Sequence, residues 1–348
     1  MDRLIVKNFG PLKDVDIELN KINLFIGENG SGKSVLGKLV TIVLNTFYNV
    51  FEEELIAKKF IDYNIDYINE NSVILYIKNN KTLLSLENKK FDVQLINDYS
   101  SSDSLNDYIE ETAIAHTTSQ YIPAERNLIS LFNKYVTTFI TADIPLPKFL
   151  LNFSSQYVRA REEIKELNLL NVKYKFQSDQ ERIFYNNEDY LLLERSSSGI
   201  QSALPLYLTV KYFANKHQSI IIEEPEQNLF PKAQAETIQY IIEQISDENN
   251  LFMMTHSPYI LSTINNLIYA HVVASLGEKE KKEVQEFVNE NQWINPNDFS
   301  AYYLENGIAR SIKSDMGLIS DNEIDDISEK MGAEFDELLE IYRESKNG

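Results

Sequence analysis

Residues Ile22 to Tyr48 constrain the fold more than any other stretch. The run Ile22-Asn23-Leu24-Phe25-Ile26 leads into Gly27-Glu28-Asn29-Gly30-Ser31-Gly32-Lys33-Ser34, and a helix-like segment, Val35 to Tyr48, follows. A strand, a turn of the form G-x-x-x-x-G-K-[ST] and a helix, in that order, predict a phosphate cradle. Gly27, Gly30 and Gly32 permit backbone conformations that a side chain forbids, so the N–H groups of the loop, those of Asn29 and Ser31 included, can turn toward one anion. The helix start adds its positive end, Lys33 reaches the β- and γ-phosphates, and the Ser34 hydroxyl can ligate Mg²⁺. The competing explanation is a glycine-rich turn that carries Lys and Ser by coincidence. Only 11 of the 348 residues are glycine, which counts against it.

Two short strands are expected before the loop, at residues 2–8 and Val15 to Leu19, separated by the turn Asn8-Phe9-Gly10-Pro11. After the loop helix, residues 51–112 read as an insertion over the core sheet: a charged helix, a hairpin (Ser72 to Lys78 and Lys81 to Leu86) and a polar stretch from Asn97 to Asp107. Ala113 to Ile122 reads as a strand, Asn127 to Ile140 and Phe149 to Leu169 as helices, and 172–194 as a second hairpin. A long apolar helix, Ile200 to Lys216, precedes two buried strands, Ser219 to Ile222 and Leu251 to Thr255. The expected organisation is a core that carries the phosphate loop at 1–50, 113–126 and 173–275, the insertion at 51–112, a helical lobe at 127–172, and a mostly helical extension at 276–348. That extension includes a candidate strand, Ser300 to Leu304, and a helix from Glu329 to Ser345. No heptad pattern is sustained, so no long coiled-coil arm is expected.

Three further constellations carry chemistry. Ile222-Glu223-Glu224-Pro225 puts two carboxylates at the C-terminal end of a buried strand, where ligands of open α/β sheets sit. Glu223 is assigned to a metal and Glu224 to an attacking water, against the alternative of a solvated acidic turn. His256, after the next buried strand, can reach the γ-phosphate or the water, although a lone histidine is more often structural. Ser196-Ser197-Ser198-Gly199 opens the long helix and offers hydroxyls and N–H groups to a second anion, beyond the ordinary use of serine as a cap. A second anion site in a chain that already has one suggests a γ-phosphate received from another copy.

A formal charge of −20 argues against a surface that attracts nucleic acid or an anionic membrane, although a local basic groove stays open. The lysine clusters, Lys58-Lys59, Lys89-Lys90 and Lys279 to Lys282, read as solvated faces. Cysteine is absent, which removes disulfides and thiolate metal sites. With no signal-like start and no apolar run of about 18 residues, the expectation is a soluble, cytoplasmic protein.

Together these motifs resemble the ABC-type ATPase heads of the SMC and RecF group. Ile222-Glu223-Glu224-Pro225-Glu226-Gln227-Asn228-Leu229-Phe230-Pro231 and Met254-Thr255-His256-Ser257-Pro258 are more similar to the OLD-like ATPases, often labelled AAA. The resemblance implies an α/β P-loop NTPase with a mixed, largely parallel core sheet, an N-terminal antiparallel β subdomain and a helical insertion. It further implies Gly27 to Ser34 as the ATP·Mg²⁺ site, Ser34 and Glu223 on the metal, and Glu224 and His256 as catalytic residues. Ser197, Ser198 and Gly199 then stand as the signature motif that caps a partner's γ-phosphate. Gln120 stands where a sensing glutamine is expected, with Arg126 as the alternative. Departures are Glu223 where aspartate is commoner, Phe230 in place of a D-loop aspartate, and Ser-Ser-Gly-Ile as the signature.

The implied assembly is a homodimer or higher homo-oligomer closed through the ATP sites. OLD-type members often carry a Toprim nuclease. The residues after His256 provide no matching acids, Asp321 to Asp326 reading as a helix start. The expectation is therefore an ATPase that acts as sensor or scaffold for a separate nuclease or toxin in bacterial anti-phage defence. The alternative is a DNA-binding ATPase of SMC- or RecF-like DNA repair or maintenance.

Overall fold

The computed structural model describes residues 2–46, 53–93, 119–132, 146–216, 218–320 and 323–347. Burial follows the hydrophobic pattern of each strand. β1 (Asp2–Phe9) and β2 (Leu12–Leu19) alternate between buried and exposed residues and pair antiparallel. β3 (Ile22–Gly27), which enters the phosphate loop, is buried throughout. Such two-sided burial is the signature of a strand covered on both faces.

The remaining strands of the main sheet are β4 (Val73–Lys78), β5 (Lys81–Glu87), β6 (Lys90–Val93) and β7 (Ser119–Ile122), then β12 (Ser219–Glu223), β13 (Leu251–Thr255), β14 (Phe299–Glu305) and β15 (Ile308–Ser311). They make eleven strands in the order β6-β5-β4-β1-β2-β15-β14-β3-β13-β12-β7. From β14 to β7 the strands run parallel, and from β6 to β2 antiparallel. This is the mixed α/β architecture expected of a P-loop NTPase. Helix α1 (Lys33–Thr46) leaves the loop and packs against β3, β7, β12 and β13, while α2 is Glu53–Asp62.

A second sheet, β8 (Glu166–Leu169), β9 (Val172–Gln177), β10 (Gln180–Phe184) and β11 (Tyr190–Leu192), precedes the serine-rich helix start. With α3 (Asn127–Phe132), α4 (Lys148–Glu163) and α5 (Ser198–Ala214) it forms the lobe beside the core. α6 (Pro231–Gln244) and α7 (Pro258–Ala274) follow β12 and β13, and α8 spans Glu278–Gln285.

Several expectations are corrected. The hairpin at 72–86 gains a third strand and extends the sheet edge-on, because β4 pairs with the free edge of β1 rather than lying over the core. The helix expected to reach Leu169 stops at Glu163, and 166–169 alternate as a strand with Leu167 and Leu169 inward. The C-terminal extension is not chiefly helical at its centre, since β14 inserts beside β3. The stretch 97–107 and parts of the expected strand at 113–122 and helix at 127–140 lie outside the described residues.

The β14–β15 hairpin is held against the β1–β2 turn by close backbone contact. The Gly307 carbonyl accepts from the N–H groups of Lys13 (2.8 Å) and Asp14 (3.1 Å). Gly307 has φ +81°, and a Cβ there would stand 2.2 Å from the Pro11 carbonyl oxygen, backbone that cannot step aside. Gly307→Val should therefore lower the unfolding free energy by about 2–4 kcal/mol. Gly332→Ala, with open space around it, should leave stability unchanged or raise it slightly. Urea titration of the two variants measures both effects.

Candidate functional site

The parallel strands deliver their C-terminal ends to one edge of the sheet. Ile26 lies level with Thr255 on one side and Tyr303 on the other, and Met254 is level with Glu223. The residues that follow, Gly27, His256 and Glu224, therefore emerge together. This edge is where open α/β sheets bind ligands.

At the loop, β14 comes so close that a Cβ on Gly27 would stand 2.2 Å from the Leu304 carbonyl oxygen. Gly30 has φ +82° with no heavy atom within 4 Å of the position a Cβ would take, so the inside of the turn faces open space. The Lys33 ammonium donates to the carbonyls of Gly27 (2.6 Å) and Glu28 (2.8 Å) and lies 3.5 Å from the Ser31 hydroxyl. Burial pulls its pKa below the ordinary lysine value, while Glu224, Glu226, Glu223 and Glu28 push the other way. A cavity of about 310 Å³ opens at the loop, lined by Pro11, Lys13, Glu28 to Ser31 and the turn Leu304 to Gly307.

Glu223 is buried, and its Oε1 has no hydrogen-bond partner. Burial raises its pKa above the usual carboxylate range, with the Tyr121 hydroxyl, Lys38 and the Ser34 hydroxyl acting in the opposite direction. A buried carboxylate oxygen without a partner, beside the serine that ends the loop, is a donor set suited to a hard divalent cation. Glu224 is different. It is partly exposed, in the left-handed region at φ +44°, with its Oε1 3.8 Å from His256 Nδ1.

Two residues hold this arrangement: Glu226, which the motif reading passed over, and Arg126, which it offered only as an alternative sensor. Glu226 is buried, and its Oε1 accepts from the Thr255 hydroxyl (2.7 Å) and the His256 N–H (3.0 Å) while standing 3.8 Å from His256 Nδ1. The Glu-Glu-Pro-Glu run signals it only as one more acid. Arg126, fully buried, donates through Nε to the Ser202 carbonyl (3.1 Å) and through Nη1 to those of Pro123 (3.2 Å) and Glu223 (2.7 Å). Its Nη2 donates to the Glu224 carbonyl (2.6 Å). Burial brings its pKa down to about 10, so it stays charged at neutral pH.

Neither sensor candidate sits where the resemblance put it. Gln120 pairs with Ile220 in register, below the strand end, and its amide donates to Gln218 (2.5 Å), which precedes β12 at the opposite edge of the sheet. In a strand, a shift of two residues along the chain moves a side chain by about 7 Å, which separates Gln120 from the site. Arg126 spends its donors on backbone carbonyls, which makes it an internal clamp rather than a sensor.

The serine-rich start of α5 is tied to the segment after the glutamates. Ser197 caps the helix, accepting from the Ile200 N–H at 3.5 Å, and Ser198 and Gly199 form its first turn. A Cβ on Gly199 would stand 3.0 Å from the Asn228 carbonyl oxygen. One turn on, the Ser202 hydroxyl accepts from the Asn228 side-chain amide Nδ2 (2.9 Å) and donates to the Gln227 side-chain Oε1 (3.3 Å). Phe230, next along, is 78 % exposed.

Arg126→Lys should test the clamp. One ammonium cannot reproduce the guanidinium fork, so two or more buried charge-assisted hydrogen bonds are lost, at a cost of about 2–4 kcal/mol. The expected readout is a lower urea midpoint with the native fold retained by circular dichroism.

The chain matches the family described as AAA ATPase domain over residues 1–154 and 155–261. None of the curated proteins matches it. Among solved structures, the SMC head domain from Thermotoga maritima aligns at 12% identity, over 89% of this chain and 97% of that one, with a TM-score of 0.42. The Smc head with an extended coiled coil, bound to the C-terminal domain of ScpA, from Pyrococcus furiosus, aligns at 12% identity over 90% and 96%, with a TM-score of 0.43. An ATP-binding cassette of an ABC transporter in its ADP conformation aligns at 13% identity over 89% and 90%, with a TM-score of 0.35. On its loop, its sheet and the 261-residue span of the family match, the chain belongs to the AAA ATPase domain family.

Proposed function

We propose that the protein binds and hydrolyses ATP at the sheet edge, as one half of a head-to-tail dimer that encloses two Mg·ATP. The observation that carries this reading is the convergence of the Gly27–Ser34 loop, Glu223, Glu224 and His256 on adjacent strand ends. In this reading the loop N–H groups and Lys33 bind the phosphates, Lys33 exchanging its loop carbonyls for phosphate oxygens. Ser34 and Glu223 would hold the metal, which when bound neutralises phosphate charge. Glu224 is placed to orient a water and accept its proton, and His256, fixed from behind by Glu226, to donate toward the γ-phosphate.

Gly199 packs against Asn228 of its own chain, and Ser197 to Gly199 do not line the cavity at their own loop. That supports their use on a second copy, where the helix start would cap the γ-phosphate. The coupling of Ser202 to Gln227 and Asn228 then links the capping helix to the segment that follows the catalytic pair. Beyond the ATPase, the proposed role is that of a cytoplasmic sensor or scaffold subunit for a separate effector in bacterial anti-phage defence. Its support is the similarity of the Glu-Glu-Pro-Glu and Thr-His-Ser-Pro motifs to OLD-like proteins. No described helix is long and apolar enough to cross a membrane.

Three variants test the site. Lys33→Ala should abolish nucleotide binding, and Ser198→Arg should spare binding while removing turnover. Glu224→Gln, which slows hydrolysis without changing shape, should elute as a dimer with Mg·ATP and as a smaller species without it. A monomer under both conditions, or full turnover by Ser198→Arg, rejects the sandwich.

A further inference from the structure

The helix α9 (Glu323–Asn347) carries apolar side chains that nothing in the described chain covers. Met331, Phe335, Leu338 and Tyr342 repeat at intervals of four, three and four, which places them on one stripe of the helix, with Ile341 at its margin. All five are between 58% and 66% exposed. From Lys330 to Arg343 only Leu339 is even half-buried. A single exposed leucine needs no explanation, but a stripe of five large apolar residues marks a surface made to be covered.

Charge decides what covers it. The helix holds nine acidic and three basic residues, a net of −6, and the rest of the chain carries the other −14 of the total −20. A second copy of this helix would bring like charge against like, and so would the chain's own body. An anionic bilayer is excluded by the same sign, since membrane-surface helices carry lysine and arginine on their polar face. We propose that α9 docks, as an amphipathic helix, into an apolar groove rimmed by lysine and arginine on a different protein. The stripe supplies the buried anchors, and the acids Glu334, Asp336 and Glu337, which flank it, face the basic rim. This surface deepens the reading of a separate effector, and it requires no nucleotide step.

A photo-crosslinking residue placed at Phe335 of the full chain, in cells of the source organism, tests it. The expected product is an adduct with one other protein, mapped by mass spectrometry to a segment that combines apolar residues with lysine or arginine. Leu338→Asp should reduce that adduct about tenfold, the loss of one buried anchor. Raising the salt concentration of a gentle lysate should weaken it further. The same crosslinker at Glu340, on the opposite face, should give at most a weak adduct. An adduct to this chain's own body, to a second copy, to lipid or to an acidic segment overturns the proposal, as does an adduct indifferent to Leu338→Asp. Repeating the experiment in Lys33→Ala separates the two readings: an adduct that persists there supports the surface whether or not the ATPase reading holds.

Discussion

The buried guanidinium of Arg126 is the interaction on which the rest of the site depends. Burying a cation costs several kcal/mol, and the hydrogen bonds that offset it go to the carbonyls of Pro123, Ser202, Glu223 and Glu224, with the charges of Glu226, Glu224, Glu223 and Glu125 favouring the cation from farther off. That choice of acceptors leaves the side chains of Glu223 and Glu224 free while fixing the backbone that carries them. It also holds Glu224 in the left-handed region, a conformation worth about 1–3 kcal/mol of strain that a non-glycine residue keeps only when its surroundings enforce it. The same fork joins the end of β7, the end of β12 and the first turns of α5. The helix that begins with Ser198 cannot shift without disturbing the carbonyls of Glu223 and Glu224.

The second constraint is the level at which strands end. β14 lies against β3 so closely that only glycine fits at position 27, and the Gly307 turn locks that hairpin onto the β1–β2 turn. Residues far apart in sequence thus build the mouth of one cavity: Pro11 and Lys13 before the loop, Leu304 to Gly307 after every other core strand. The loop's geometry is local, but its walls are not.

That distinction explains what the sequence made legible. Gly27 to Ser34 could be read because the glycines answer a local backbone need, and the strands leading to Glu223 and His256 because two-sided burial demands unbroken apolar runs. Gln120 could not be placed from its neighbours. Its depth in the sheet depends on the register of β7 against β12, which is set by pairing with a strand one hundred residues away. β14 was legible as a strand but not as the neighbour of β3, for the same reason. Arg126 and Glu226 were hidden differently: a buried charged side chain bonded to backbone has the same letter as one that faces solvent, and only the packed structure distinguishes them.

The site's electrostatics carry the argument one step further. Lys33 faces Glu28, Glu223, Glu224 and Glu226, all of which favour its charged form. Taken together these groups are net acidic, in a chain that is itself strongly negative, so a bare nucleoside triphosphate approaching the edge meets repulsion that one ammonium cannot offset. Burial opposes the ionisation of Glu223, and a divalent cation beside it would favour the charged form. Under the proposed reading, nucleotide and metal therefore bind as a coupled pair, each relieving the charge that opposes the other. Under that reading, the acidity that argues against nucleic acid across the whole surface would, at this edge, favour a triphosphate that arrives with its cation.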